Sequence, residues 1–581
     1  MTIIVERKGF DPKIEVSKDP LINELLQKRG VCSSEEAEFD FSGLLHYQLL
    51  SNIDHLIDTL VTTIICEQPI CIVGDYDVDG ATSIALMMRA MIDMGVKNLS
   101  YFVPNRFTHG YGLSIKIIDA VLERGDCHLI MTVDNGITSV SAVDYANQKG
   151  LEVLITDHHL AGEQLPKAKA IVNPNQPSCS FPCKALSGCG VSFYVMLALR
   201  AKLREKRWFD KKNLPIPNMA DYLDLVAIGT VADLVPMSRN NRILVQQGMM
   251  RIRQGICLQG IQALMQVAKI ESKKIQTSDI AFKIAPRLNA AGRLNDMSIG
   301  VRCLLSDSLE DAMVMGKELD QLNQQRRLIE SSMQDDAELI LQSILPEEKT
   351  YGICVLNKEW HEGVIGIVAS RLKEKYHQPV AVFTAGEQQG LLKASLRSIP
   401  GIHLKDLLNT IASVEPGLMI GYGGHAMAAG VSIEEKDFGR FQQQFQSLLG
   451  HQKDLHTQPS IETDGCLPSQ YWTTTIAKRL MMAYPWGQGF PEPCFNDVFL
   501  IQSQKLMAKK HLKLLVSHPK SPSYVIEVVC FNIDLNHWPD EQCEQVHLVY
   551  QLSCNEYQNR EKMQFIAKAM LKLNETLTPI N

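Results

Sequence analysis

Short apolar runs closed by acidic or histidine residues recur through the first part of the chain. Ile70 to Val73 is the first, followed by a glycine-bounded acidic turn and an amphipathic stretch that predicts a helix from about Ala81 to Met94. Leu129 to Val133 and Glu152 to Thr156 repeat the scheme. Continuous apolar runs alternating with helical periodicity predict βαβ units in a parallel sheet, which would bring the carboxyl ends of the three runs together.

Further along, Ser308 to Leu345 contains only Gly316 as a breaker and stops at Pro346, so it predicts one long helix of about 55 Å joining two bodies, or two shorter helices kinked near Gly316. The alternation then restarts with Tyr351 to Leu356 as strand, Val364 to Glu374 as helix and Val380 to Thr384 as strand. From about Gly450 the composition shifts to Gln, Pro, Ser and Thr, with β-rich runs around Phe499, Leu512 and Tyr524 and a helical tail near Glu561 to Leu573. The fold class is α/β. A parallel-sheet domain over 66–305 follows a mixed N-terminal segment over 1–65, and a connecting helix over 306–345 leads to a second, smaller α/β domain over 346–450. A β-rich domain over 455–581 ends in the helix.

Composition narrows the function classes only a little. The 581 residues, 45% hydrophobic and 21% charged, belong to a multidomain globular protein and exclude wholesale disorder, collagen-like repeats and coiled-coil rods. A formal charge of −7 offers no global attraction to a polyanion, so any nucleic-acid surface must be local. The fifteen cysteines show no repeating spacing and are expected as reduced thiols, with Cys179, Cys183 and Cys189 as ordinary buried thiols rather than zinc ligands. No signal-peptide core or membrane-length apolar run occurs, and the expectation is a cytoplasmic protein with no membrane partner.

The candidate chemistry sits at the ends of the apolar runs. Asp75, Asp77 and Asp79 alternate in Gly-Asp-Tyr-Asp-Val-Asp-Gly, a density of negative charge that is costly without cations. A calcium EF-hand loop matches the start of this stretch but needs a glutamate where this chain has Leu86. Asp134-Asn135-Gly136 closes the second run and Asp157-His158-His159 the third, with Asp134 and Asp157 twenty-three residues apart, a suitable length for a helical crossover. Asp233 ends a further apolar run, and Asp224 competes with it on pattern alone. Carboxylates with one or two imidazoles suit Mn²⁺ or Mg²⁺, and two such ions suit phosphoester hydrolysis.

This ordered series resembles the DHH phosphoesterase superfamily and, within it, the RecJ family of single-strand-specific 5′-to-3′ DNA exonucleases. The resemblance continues through Pro286 to Arg293, His361 to Gly366 and Gly423-Gly424-His425, and it covers nearly the whole chain. It implies that Asp77, Asp79, Asp134, His158 and Asp233 ligate metal, with Asp75 contributing to a second ion. Asp157 would orient a histidine, and His159 would stand beside the scissile phosphate. Many relatives in the superfamily place a histidine ligand two positions before Asp75 where this chain has Val73, which bears on how tightly the second ion is held.

For the substrate, Arg287 and Arg293 flank a short Asn289-Ala-Ala-Gly turn suited to phosphate, and Ser395 and Arg397 end a strand. Gly424 and His425 are expected to open a helix. The resemblance assigns these residues and His361 to a domain that holds the nucleotide strand and its 5′-phosphate across a cleft from the metals. It also puts Arg106 and Tyr111 near the entering strand. Lys505, Lys509, Lys510, His511, Lys513 and Lys520 form a local basic cluster in the last domain, which the resemblance makes an OB-fold with Trp486 and Tyr524 as stacking candidates. The implied activity is release of 5′-mononucleotides from single-stranded DNA in recombination and repair. The implied setting is a monomer working with single-strand-binding protein and a helicase. A different phosphoesterase of the superfamily and a noncatalytic strand-binding scaffold are the alternatives.

Overall fold

The computed structural model describes residues 3–110, 112–344, 350–451, 459–557 and 560–573. The chain separates into two compact units. One comprises 4–289, 297–317 and 462–581, and the other comprises 1–3, 290–296 and 318–461.

β1 (Ile3–Glu6) starts at the boundary between the units, and the first unit continues with β2 (Ile70–Val73), β3 (Leu99–Phe102), β4 (Leu129–Val133), β5 (Glu152–Thr156) and β6 (Ala170–Val172). β2 to β6 form one parallel sheet in the order β3-β2-β4-β5-β6. β2 and β4 are buried along their whole length, as expected of strands covered on both faces. The first crossover helix is Val78–Asp93, earlier than the expected start at Ala81. Asp77 is its N-cap, accepting the Gly80 N–H at 3.0 Å, and this places Asp79 in the buried first turn. The apolar run before Asp233 is the helix Leu223–Ala232, almost wholly buried.

The second unit holds β7 (Ile353–Leu356), β8 (Val380–Ala385), β9 (Leu391–Arg397), β10 (Gly421–Gly424) and β11 (Ala428–Glu434) in the order β10-β11-β9-β8-β7. Only β7 and β8 run parallel; the other neighbours are antiparallel. Helix Glu362–Tyr376 covers one face with Val364, Val368 and Leu372. The long helix is a single element, Leu309–Ile344, and runs through Gly316 without interruption.

β12 (Ser460–Thr463) pairs with β1. The last strands, β13 (Phe495–Met507), β14 (His511–His518), β15 (Ser521–Cys530), β16 (Gln545–Tyr557) and β17 (Arg560–Lys572), close a barrel in the order β13-β14-β15-β17-β16.

Three local expectations are corrected. The tail expected as a helix is β17, paired along its length with β16 and in parallel with β15; Met563 and Phe565 alternate into the barrel core, and this pairing overrides the helix-forming composition. The Asn289-Ala-Ala-Gly stretch is not a turn but part of helix Ala285–Leu294, anchored by buried Ile284 and Leu288. Gly424 and His425 open no helix. They turn the β10–β11 hairpin, where Gly424 has φ +147° and a Cβ would stand 2.4 Å from the Ala429 Cα. Among the described residues, no helix is long and apolar enough to cross a membrane.

Candidate active site

The carboxyl ends of β2, β4 and β5 deliver their acidic and histidine residues to one place, together with Asp233. Three overlapping groups of possible ligand atoms each lie within 4.8 Å: Asp75, Asp77 and Asp134; Asp79, His158 and Asp233; and Asp134, His158 and His159. The His158 Nε2 stands 3.0 Å from Asp134 Oδ1, 3.6 Å from Asp233 Oδ2 and 4.0 Å from Asp79 Oδ2. The six residues expected as ligands therefore converge, and Asp134 and His158 each belong to two groups.

Electrostatics shows what this convergence costs. Burial first, and then the Asp77 charge, push the Asp75 and Asp79 carboxyls up to about 7. Asp134 and Asp233 are raised well above the usual carboxylate range by burial and by Asp79 and Asp77. His158 is pushed down to about 4 by burial and by its neighbour His159. Such crowding without an interleaved positive charge is unfavourable. The hydrogen-bond pattern agrees, since Asp134 Oδ1, His158 Nε2 and Asp233 Oδ2 are buried and have no hydrogen-bond partner. Unpartnered oxygens and an imidazole nitrogen converging in this way fit a hard divalent cation of the Mn²⁺ or Mg²⁺ type.

The supporting shell fixes the geometry. Asp157 belongs to none of the ligand groups. Its Oδ1 accepts the backbone N–H of His158 and His159 and contacts His159 Nδ1 at 2.8 Å, while Oδ2 accepts the Ile137 N–H. Burial opposes its charge, but the His159 contact outweighs it and the Asp157 carboxyl lies below its ordinary value. His159 is likewise disfavoured by burial, yet Asp157 raises it to about 9. Asp79 accepts the N–H groups of Gly188 and Cys189 at 2.6 and 3.0 Å, from the start of helix Gly188–Glu205. A Cβ on Gly188 would meet Asp134 Oδ1 at 2.5 Å, and one on Gly229 would meet Asp79 Oδ1 at 2.7 Å. Val73 ends β2 fully buried in the core.

Sequence reasoning missed Asn173 and Asn175, whose side-chain amides donate to the backbone carbonyls of His159 and His158, and also Gly188. The available signal was Asn-Pro-Asn directly after the apolar run that forms β6. Asp224 is buried away from the ligand groups and instead accepts the Leu258 N–H at 2.9 Å.

Of the substrate candidates in this unit, Arg106 lies over the Tyr76 ring at 4.3 Å, and its charge favours ionised Asp75. Tyr111 lies outside the described residues. Arg287 and Asn289 share helix Ala285–Leu294, where Arg287 donates to the Lys283 carbonyl at 2.7 Å. In the second unit, Arg293 donates to the Gly363 carbonyl at 3.1 Å, and His361 caps helix Glu362–Tyr376. Arg397 bonds Ser395 Oγ at 3.0 Å, and a Cβ on Gly366 would meet both side chains at 3.0 Å. β11 lies between β9, which carries Ser395 and Arg397, and β10, which ends at Gly424 before His425.

In the barrel, Lys505 and Lys513 are register partners on β13 and β14, and Lys513 pairs with Glu527 at 2.7 Å. Tyr524 is half exposed. Trp486 is no stacking platform: it is buried, with Arg29 over its ring at 5.2 Å and Phe490 stacked on it at 5.2 Å. Cys179, Cys183 and Cys189 are all buried.

Family models match three stretches of the chain: the DHH family, N-terminal domain, over residues 69–230; the DHHA1 domain over 348–451; and the RecJ OB domain over 463–569. The chain is 46% identical over 570 residues to the single-stranded-DNA-specific exonuclease RecJ of Escherichia coli, covering 97% of this chain and 98% of that protein. It is 43% identical to the protein of the same name in Haemophilus influenzae, covering 99% and 100%. The crystal structure of RecJ in complex with Mn²⁺ from Thermus thermophilus superposes with a TM-score of 0.78 at 26% identity, covering 98% of this chain and 80% of that one. Matches of this extent, on a chain that gathers the DHH residues into one site, mean that the chain belongs to the RecJ family of single-stranded-DNA-specific exonucleases.

Proposed function

We propose that this protein is a metal-dependent 5′-to-3′ exonuclease that releases 5′-mononucleotides from single-stranded DNA in recombination and repair. The observation that carries the reading is the convergence of Asp134, His158 and Asp233 with three buried, unpartnered ligand atoms, in a chain similar to RecJ exonucleases from end to end. Asp79, Asp134, His158 and Asp233 are suited to hold one cation, and Asp75, Asp77 and Asp134 a second. Mn²⁺ or Mg²⁺ bound there supplies Lewis-acid polarisation of the phosphodiester and activation of water.

The chain's own residues do the rest. Asp157 holds the His159 ring by Nδ1 and favours its protonated form, so His159 is suited to donate a proton to the leaving oxygen or to offset charge on the phosphate. Arg106 adds a guanidinium beside Asp75 for the entering strand. Arg287, Asn289, Arg293, His361, Ser395, Arg397, Gly424 and His425 bind the strand and its terminal phosphate in this reading, and the lysines of β13 and β14 bind its backbone. The family resemblance supports a cytoplasmic monomer that works with single-strand-binding protein and a helicase.

Digestion of matched single- and double-stranded DNA, labelled at either end, tests the proposal. With Mn²⁺ or Mg²⁺, 5′-phosphorylated single strands should fall to mononucleotides from the 5′ end while blunt duplexes stay nearly intact. Chelation should stop the reaction. Equal digestion of both substrates, or release from the 3′ end, overturns the reading.

A further inference from the structure

A pocket of about 300 Å³ opens within the unit that contains both the parallel sheet and the barrel. Val231 and Leu234 line it, and they flank Asp233 in sequence. Leu234 has φ +58°, a left-handed conformation that strains a branched aliphatic residue, and is 64% exposed. Phe282 also lines it, 73% exposed, in a π-helical turn, Ile280–Ile284, that leads directly into the helix carrying Arg287. Two large apolar side chains are thus held in solvent on the wall of one pocket, one of them directly following Asp233 in sequence.

The rest of the wall mixes apolar residues such as Met237 and Met481 with polar ones. Gln551 from β16 and Lys568 from β17 line it with Glu492, which lies within hydrogen-bonding reach of Gln551 and under the influence of the Lys568 charge. Trp486 also lines the pocket, and because Arg29 and Phe490 cover its ring faces it contributes a rigid boundary.

We infer that this pocket seats a nucleobase of the uncleaved part of the strand, its face against Phe282 and Leu234, its edge on Gln551 and Glu492, and an adjoining phosphate near Lys568. A flat heteroaromatic ring with amide-like edge groups, next to an anion, matches that wall chemistry, and stacking of this kind accepts any base. The walls come both from the segment bearing Asp233 and from the barrel strands, so an occupied pocket guides the strand between metals and barrel. The inference rests on the single-stranded-DNA reading above and locates one nucleotide of that substrate.

The test uses single-stranded oligonucleotides carrying 2-aminopurine at successive positions from the 5′ end, bound in EDTA to the full-length protein. One position should change fluorescence on binding, and Phe282→Ala should abolish that change and weaken affinity about tenfold. Leu234→Gly, which relieves the left-handed strain, should weaken binding less. Phe282 is exposed, so its substitution should leave the melting temperature near that of the wild type, and Lys568→Ala provides a second weakened variant if it does not. A wild-type protein with no position-dependent signal, or a Phe282→Ala protein that retains signal and affinity, overturns the pocket assignment. If strands are degraded in Mn²⁺ but the signal ignores Phe282, only the pocket falls. If the signal depends on Phe282 but no degradation occurs, only the exonuclease reading falls.

Discussion

Asp134 concentrates the conflict at the site, since it is buried, adopts φ +61° and shares ligand groups with both Asp75 and His158. Asp134→Asn should reduce metal-dependent cleavage to background. In EDTA its melting temperature should equal or exceed that of the wild type, because the change relieves like-charge crowding. Adding Mn²⁺ should raise the wild-type melting temperature and leave the variant nearly unmoved, as expected when a ligand binds only one of them. Asp224 makes a separable prediction. Burial pushes its carboxyl up to about 6, despite the Leu258 and Leu225 N–H bonds, against an ordinary value of 3.8. Between about pH 4 and 6 the folded chain therefore holds this proton more tightly than the unfolded chain, so this group's contribution to stability grows as pH falls through 6. The melting-temperature difference between wild type and Asp224→Asn should shift in the wild type's favour by a few degrees from pH 7 to pH 5. Asp75 to Asp233 were legible because carboxylates closing apolar runs announce themselves. Gly188 was not, because its contacts are with residues far away in sequence, and the Asn173 and Asn175 signal is an Asn-Pro-Asn whose amides find their partners only in the folded chain.

Among elements, helix Gly188–Glu205 supports the site directly. Its first N–H groups bond Asp79 while Gly188 itself abuts Asp134, an approach that no larger residue permits. Gly188→Ala removes no charge, yet it should lower kcat by at least about tenfold by displacing Asp134, with the fold retained by circular dichroism and weaker Mn²⁺ binding by calorimetry. Unchanged Mn²⁺ affinity would contradict this account of the contact. The strand ends of the parallel sheet were readable from their predominantly apolar runs. The β10–β11 hairpin, helix Ala285–Leu294 and β17 were misread for a common reason. Glycine can mark a hairpin or sit inside a helix, and a mixed helix-forming sequence becomes a strand once neighbours offer hydrogen bonds and an apolar interior to Met563 and Phe565.

At the level of the molecule, the N-terminal segment is bound into the same unit as the barrel. Arg29 forms a bidentate pair with Asp464 at 2.9 and 2.8 Å, with both side chains almost wholly enclosed, and donates to the Pro491 carbonyl while covering Trp486. Arg242 covers Phe490 at 4.6 Å, so two guanidinium groups bracket the Trp486–Phe490 stack. Removing one partner leaves the other charge buried and unpaired. Arg29→Ala should therefore destabilise this unit by about 3–5 kcal/mol, read as an earlier thermal transition and faster proteolysis near the barrel. Arg29 lies 435 residues from Asp464 and carries no motif, which is why this clamp was invisible in the sequence.

The sequence by itself determined the chemistry and the class of fold. Ligand types, their spacing after apolar runs and the order of motifs are local properties, and they sufficed for a metal-dependent phosphoesterase on an α/β scaffold. Only the tertiary structure decided which carboxylates share a group, that Asp224 stands apart, that Trp486 is sealed between Arg29 and Phe490, and that Val231 and Leu234, on either side of Asp233, share a pocket with barrel residues. Those outcomes depend on distances between segments far apart in the chain and on competition for burial. Neither is encoded in the neighbourhood of a single motif.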